Sequence, residues 1–251
     1  MREDLTAEYV RSLTVPVYDI GPEGRMKLGA VLRHVQETSE EHVDLLHIGY
    51  EELLEQTGLV FFLVCNRMRI RRLPCHREKI EIRTHPRGRG GVRFYRDFKF
   101  YDESGELIID AMQVTVVADA VTHRVRRPQA FIDLHVFRDV PVDPREKMER
   151  AVTPDDLPQV GERPVYRSDL DSNGHMNNAV YADIVEDFLP ERAGDSVSGL
   201  QIDYLGETPP EDRLRLFARR EDEKVLMRGE NSGGLSFEGR ILLQNDIPIG
   251  K

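Results

Sequence analysis

Two hydrophobic rhythms alternate along the chain. From Met26 onward, Leu28, Val31, Leu32, Val35, Ser39, His42, Val43 and Leu46 fall three and four residues apart, the spacing of one helix face. A shorter helical piece, 50–56, follows and stops before Gly58. Four runs rich in β-branched and aromatic residues come next, 59–70, 78–84, 92–101 and 107–118, and read as strands. Turn signals at Pro86-Arg-Gly88 and Glu103-Ser-Gly105 separate them. Ahead of the helix, 9–18 reads as a strand that Pro16 directs to a sheet edge, and Gly21-Pro-Glu-Gly24 as a turn. A long helix followed by consecutive antiparallel strands predicts an α+β layer.

Residues 139–162 carry Pro141, Pro144, Pro154 and Pro158 among charged residues, with no sustained period, and read as a linker. Beyond them the order restarts, which divides the chain into 1–138, the linker and 163–251. Strand 163–167 leads to a turn at Gly174. A helix follows in which Met176, Val180, Ile184 and Phe188 recur every four residues, with Tyr181 and Val185 beside them. Segments 197–204, 213–219, 224–230 and 236–244 are strands. The halves read as repeats: Pro16-Val-Tyr18 recurs as Pro164-Val-Tyr166, and Gly24-Arg25-Met26 as Gly174-His175-Met176. Laying Lys79-Ile-Glu-Ile82 over Arg213-Leu-Arg-Leu216 sets Leu73 opposite Glu207 and Arg25 opposite His175. The first half thus lacks two polar groups that the second has, so one half is free to do chemistry while the other shapes a pocket.

Composition narrows the class. The 251 residues are 39% hydrophobic and 32% charged, with formal net charge -10, and suit an acidic, soluble protein with ample core. No apolar run approaches the roughly 18 residues of a membrane span. The start, Met1-Arg-Glu-Asp-Leu-Thr, is neither a signal nor a transit peptide, so a cytoplasmic location is expected. Only Cys65 and Cys75 are present, which excludes a disulfide framework and a four-cysteine zinc site.

The candidate chemistry lies in 168–188. Asp171, Asn173 and His175 alternate, so an extended backbone turns them to one side, just before a helix presents its unpaired amides. A carboxylate, an amide and an imidazole beside such amides form an acid/base site with an oxyanion cradle. Asp171 and Asn173 also suit plain turn and N-cap roles. Asp169-Leu-Asp171-Ser-Asn173-Gly174 matches the first half of a calcium loop, but the twelfth position is Val180, not the required Glu, and no metal is expected.

With Asp171-x-Asn-x-His-x-Asn-Asn178 and the tandem layout in hand, the chain resembles the acyl–acyl-carrier-protein thioesterases over nearly its whole length. The family's D-x-N-x-H-x-N-N-x-x-Y run is matched from Asp171 to Tyr181. A second family motif is matched in part by Asp203-Tyr-Leu-Gly-Glu-Thr208: Glu207 falls on the family's catalytic glutamate, Thr208 on its cysteine, and the basic residues are absent. The resemblance implies two tandem hotdog domains, each an antiparallel sheet wrapped around a long helix, with the acyl pocket in the first and catalysis in the second. It implies hydrolysis of fatty acyl–acyl-carrier-protein thioesters in fatty-acid biosynthesis, without a cofactor, and a homodimer. One view of the family uses a papain-like Cys, His and Asn set. With Thr208 in the cysteine's place, water activated by a carboxylate is the expected route: Glu207 as base, Asn173 and His175 positioning water and thioester, Asp171 orienting one of them. The alternatives are a coenzyme A thioesterase or hydratase of the same fold, and a non-catalytic acyl- or calcium-binding module.

Between Arg67 and Arg96 stand eleven Lys or Arg and only Glu78 and Glu81, a local charge of +9. No nucleic-acid motif or aromatic platform accompanies it. Acyl-carrier proteins are small and acidic, so the segment is a candidate docking surface, with Arg71 and Arg72 as candidate contacts.

Overall fold

The β-rich runs pair into one antiparallel sheet of ten strands, which both halves of the chain enter in the same order. The computed structural model describes residues 8–137, 149–189 and 195–245. In the first half β1 (Tyr9–Thr14), β2 (Leu59–Ile70), β3 (Lys79–Gly90), β4 (Arg93–Asp102) and β5 (Leu107–Asp119) stand side by side as β1-β3-β4-β5-β2. The second half repeats this with β6 (Gln159–Pro164), β7 (Asp195–Tyr204), β8 (Arg213–Glu221), β9 (Lys224–Asn231) and β10 (Gly234–Asn245), ordered β6-β8-β9-β10-β7. The halves join where β2 pairs β7, Met68 against Leu200.

The repeat extends to single hydrogen bonds. Val15 N–H donates to Glu78 O at 2.9 Å, and Val165 N–H to Asp212 O at 2.8 Å. Met26 N–H donates to Pro74 O at 2.8 Å, and Met176 N–H to Thr208 O at 3.2 Å. These pairs place Leu73 where the other half has Glu207, and Arg25 where it has His175, as the sequence matches predict. They also set Thr14, paired with Lys79, opposite Pro164, paired with Arg213, so the match of Pro16-Val-Tyr18 with Pro164-Val-Tyr166 is two residues out of register.

Each half wraps its strands around a helix, the tandem hotdog arrangement. Helix α1 (Leu28–Leu45) buries Leu28, Val31, Leu32 and Val35. Short helices α2 (Tyr50–Thr57) and α3 (Gln129–Ile132) add Leu53 and Phe131 to a separate apolar cluster with Leu59 and Val117. In the second half α4 (Val180–Asp187) buries Val180, Tyr181, Ile184 and Val185. Helices α1 and α4 share one core with inward strand residues of both halves, among them Phe98, Phe100, Leu214 and Phe237. Complete burial of such a side chain is worth about 1.5–3 kcal/mol, so this shared core holds the halves together. Where the helices meet, Leu28 N–H donates to Glu186 Oε2 at 2.9 Å and Arg33 pairs with Asp183. Gly29 makes room there, since a Cβ on it would overlap the Asp183 carboxylate.

Several boundaries differ from the sequence reading. Strand β1 ends at Thr14, and Val17–Asp19 form a 3-10 turn, because Pro16 has no N–H to continue the ladder. Strand β3 continues through the expected turn at Pro86 as far as Gly90, a register shift between Pro86 and Gly88 absorbing the proline. The strand expected at 163–167 begins at Gln159 and gives way to a 3-10 turn at Arg167–Asp169. Helix α4 starts at Val180 rather than near Met176, whose apolar side chain is buried from a bridge to Leu170. Four-residue spacing counts Met176 as helical because a bridge and a helix can point side chains into the same core.

Of the span 139–162, residues 139–148 lie outside those described. The stretch from 149 to 158 lies as a strap against the sheet, where it is held by two buried carboxylates. Asp203 accepts from Ala151 N–H at 2.7 Å, and Glu238 accepts from Thr153 N–H and Oγ1–H, both at 2.7 Å, and from Arg150 Nε–H at 2.9 Å.

Candidate active site

The polar run of the second half folds as a tight turn rather than an extended strand. Gly174 takes φ 78, Gly174 N–H donates to Asp171 O at 3.1 Å, and Asp171 N–H donates to His175 O at 2.8 Å. Asp171 Oδ1 accepts from the N–H of Asn173 at 2.8 Å and stands 3.3 Å from that of His175. Asp171 therefore grips the backbone that carries Asn173 and His175, not the imidazole itself. The calcium-loop alternative loses its ligands, since Asp169 is buried against Arg163 at 2.7 Å and Asp171 serves the turn. Among the described residues no group of three or more His, Cys, Asp or Glu is arranged to hold a metal.

Past the turn, Asn177 Oδ1 accepts from Ala179 N–H at 2.8 Å, an Asx turn just ahead of α4, while its Nδ2 donates to Gln36 of α1 at 3.2 Å. The N–H of Asn178 has no hydrogen-bond partner among the described residues. Its carbonyl accepts from Tyr204 Oη at 3.0 Å. Alternation along β7 separates the members of the second motif. Tyr204 faces this entry, and its neighbour Asp203 faces the strap.

Glu207 follows β7 and is brought to the turn by a buried hydroxyl cluster. Thr208 accepts from Tyr181 Oη at 3.0 Å and lies 2.7 Å from Ser236 Oγ. Asn231 Nδ2 donates to the Glu207 carbonyl at 2.9 Å and to Thr208 Oγ1 at 3.2 Å. Burial raises the Tyr181 phenol, which keeps it a donor. The Glu207 carboxylate projects from this frame, 46% exposed, with Oε2 3.4 Å from His175 Nε2. Its other oxygen, Oε1, lies 3.0 Å from Nδ1 of His123 in the first half.

Sequence reasoning missed His123. It stands in the turn after β5 with φ 55, a left-handed conformation that His adopts more readily than most residues. No local pattern marks it, because it reaches the motif only through the β2–β7 junction.

All four predicted catalytic residues, Asp171, Asn173, His175 and Glu207, line one cavity of about 970 Å³ that continues between α1 and the first-half strands. Val43, Ile48, Leu53, Val60 and Phe61 form apolar walls, and Phe94 and Phe131 meet edge to face at 5.2 Å. One wall is polar: the Arg96 guanidinium donates to His42 Nδ1 at 2.8 Å, and burial pushes its pKa down to about 10. The docking candidates lie elsewhere. Arg71 and Arg72 follow the end of β2 away from the cavity, roughly 23 Å along the strand from the lining residue Val64 at about 3.3 Å per residue. Arg72 is engaged there by Glu78 at 2.7 Å and Asp102 at 2.6 Å.

Two family models match the chain: the acyl-ACP thioesterase N-terminal domain over residues 6–132 and the acyl-ACP thioesterase C-terminal domain over 154–243. The chain belongs to the acyl-ACP thioesterase family. Among its relatives, a chloroplastic dodecanoyl-[acyl-carrier-protein] hydrolase of Cinnamomum camphora is 25% identical over 95% of this chain, which spans 65% of that protein's length. An acyl-ACP thioesterase of Bacteroides thetaiotaomicron superposes with a TM-score of 0.83 at 17% identity, over 97% of this chain and all of the other. The 12:0-ACP thioesterase of Umbellularia californica superposes at 0.84 with 19% identity, over 95% and 98%. Both structures establish the acyl-ACP thioesterase fold for this chain.

Neither cysteine of the chain stands beside Glu207. Cys65 is 3% exposed, and burial, reinforced by Asp203, drives its thiol far above the usual range. Cys75 sits with Arg25 at the counterpart turn of the first half. Replacing both by Ala is expected to leave at least about half of the turnover, measured as thiol release by protein of unchanged melting temperature. A loss as deep as that of His175→Ala would restore a thiol mechanism.

Proposed function

We propose that this chain hydrolyses fatty acyl–acyl-carrier-protein thioesters to free fatty acid and carrier thiol. The observation that carries the reading is a carboxylate and an imidazole, Glu207 and His175, at one end of a large, mostly apolar cavity. A water molecule attacks the thioester carbon while Glu207 takes its proton. The alkoxide that forms is held by the unpartnered N–H of Asn178 at the start of α4. Collapse breaks the C–S bond, and the proton returns from Glu207, directly or through His175, to the sulfur. Asn173, at the exposed tip of the turn, holds the thioester or the water, and Asp171 keeps the turn closed. The acyl chain lies along the apolar walls of the first half. The reading places the enzyme in the cytoplasm, without a cofactor and as a homodimer; no helix among the described residues is long and apolar enough to cross a membrane.

Carrier docking belongs at the cavity rim, where Arg89 lines the opening and exposed Arg124 lies between the lining residues His123 and Val125. The test compares thiol release from one acyl group on carrier protein and on coenzyme A. The carrier substrate is expected to react at least about tenfold faster and to slow as salt rises from roughly 0.05 to 0.5 M. Arg89→Glu with Arg124→Glu should slow the carrier reaction about tenfold and spare a short soluble thioester, whereas reversal at Arg71 and Arg72 should do little. Equal rates on both acyl donors would favour a coenzyme A thioesterase, and no hydrolysis of either would favour a binding protein.

A further inference from the structure

We infer that His123 is a positioning residue for catalysis: it holds one oxygen of the Glu207 carboxylate so that the other faces His175 and the reacting centre. The inference rests on the reading of Glu207 as the base.

Both carboxylate oxygens of Glu207 meet an imidazole, Oε1 at 3.0 Å from His123 Nδ1 and Oε2 at 3.4 Å from His175 Nε2. Left alone, a carboxylate that is 46% exposed rotates and samples solvent, and a base outside its reactive geometry contributes little. The His123 contact removes that freedom.

The imidazole is itself held. Phe62 of β2 meets it edge to face with centroids 5.3 Å apart, and the His175 ring lies across it at 6.1 Å. Its backbone N–H donates to Asp119 O at 2.9 Å. Asp119 Oδ1 accepts from Thr122 N–H and Oγ1–H, each at 2.9 Å, and Asp119 Oδ2 pairs with Arg126 at 2.8 Å. These contacts hold the Asp119 carboxyl well below the usual carboxylate range, Arg126 contributing most, so it stays an acceptor and the turn stays closed. A turn braced this way fixes the ring that its left-handed residue carries.

The N–H donor can be separated from the ring by two substitutions. His123→Asn places an amide N–H near the position of Nδ1 and suits a left-handed φ. His123→Phe keeps a ring against Phe62 and has no donor. On the full chain, kcat with an acyl-carrier substrate is expected to fall about tenfold to thirtyfold in His123→Phe, with KM within about twofold, and to return to within about threefold of wild type in His123→Asn. Placed on Glu207→Gln, His123→Phe should cost less than about threefold more, because the carboxylate it serves is already gone. Melting temperatures identify any variant that has lost its fold. The inference is overturned if Asn behaves like Phe, if KM alone moves, or if the two losses multiply. If Glu207→Gln itself stays within about fivefold of wild type, the base assignment fails and takes this inference with it. A slow Glu207→Gln beside an unimpaired His123→Phe would overturn the positioning role alone.

Discussion

Glu207→Gln is expected to lower the single-turnover rate about a hundredfold to ten-thousandfold, the range a positioned general base supplies. The substitution keeps the side chain's size and leaves its frame untouched, because Asn231 grips the Glu207 carbonyl and not its carboxylate. The amide still fills the space between the two imidazoles but cannot accept water's proton. KM should therefore move by no more than about threefold. Thr208 is no substitute nucleophile, as its hydroxyl is buried and shared with Tyr181, Ser236 and Asn231. A fall of less than about fivefold would make Glu207 a bystander on the rim.

The second large effect falls on stability. Glu238 is 2% exposed on the side of the sheet that carries the strap. Burial alone would raise its pKa, but the donors of Thr153 and the Arg150 guanidinium outweigh burial and leave the carboxyl below its ordinary value. Glu238→Ala strands two buried Thr153 donors and leaves Arg150 without its partner, at a cost of about 2–4 kcal/mol. For a chain of this size that lowers the melting temperature by roughly 5–15 °C. Glu238→Gln should cost less. A carboxyl whose pKa is depressed by folding stabilises above its unfolded value and loses that contribution as pH falls through the folded one. The gap between wild type and Glu238→Gln is thus full at neutral pH and closes on acidification below about 4.5. Melting curves of both proteins from pH 7 to 3 check this, and a gap that widens in acid would contradict it.

How much of this was legible follows from the range over which each interaction acts. Helix α1 and most strand interiors follow from side-chain period. The counterpart register, Leu73 for Glu207 and Arg25 for His175, followed from the Gly-x-Met and strand matches because the same backbone bonds recur in both halves. The Pro-Val-Tyr match fell two residues out, a three-residue pattern being too short to fix a register. The Asp171–Tyr181 run was legible as a polar turn entering a helix, although Asp171 proved to hold backbone amides rather than the imidazole. Local period misplaced the start of α4, since Met176 is buried from a bridge. It stopped β3 early, since a bulge lets a strand pass Pro86. His123 and the pairing of Glu238 with Thr153 were out of reach, because both contacts join residues far apart in the chain. The basic segment showed its charge but not its direction. Which of its arginines face the cavity depends on how the strands lie, and Arg72 lies at the far end with acidic partners of its own.

The counterpart turn in the first half carries a further meaning. There the backbone closes as it does around His175, with Gly21 N–H donating to Arg25 O at 2.8 Å, but the Arg25 guanidinium donates to the Leu73 carbonyl at 3.3 Å, where the other half has Glu207. Two identical hotdog subunits related by a twofold axis must place the same residues at both ends of their shared sheet. Covalent linkage removes that constraint. A change that hollows out a cavity on one side need not be compatible with a carboxylate and an imidazole on the other, because each position is now encoded twice. Cavity walls and reactive groups can vary independently in such a chain, at the expense of one of two equivalent centres.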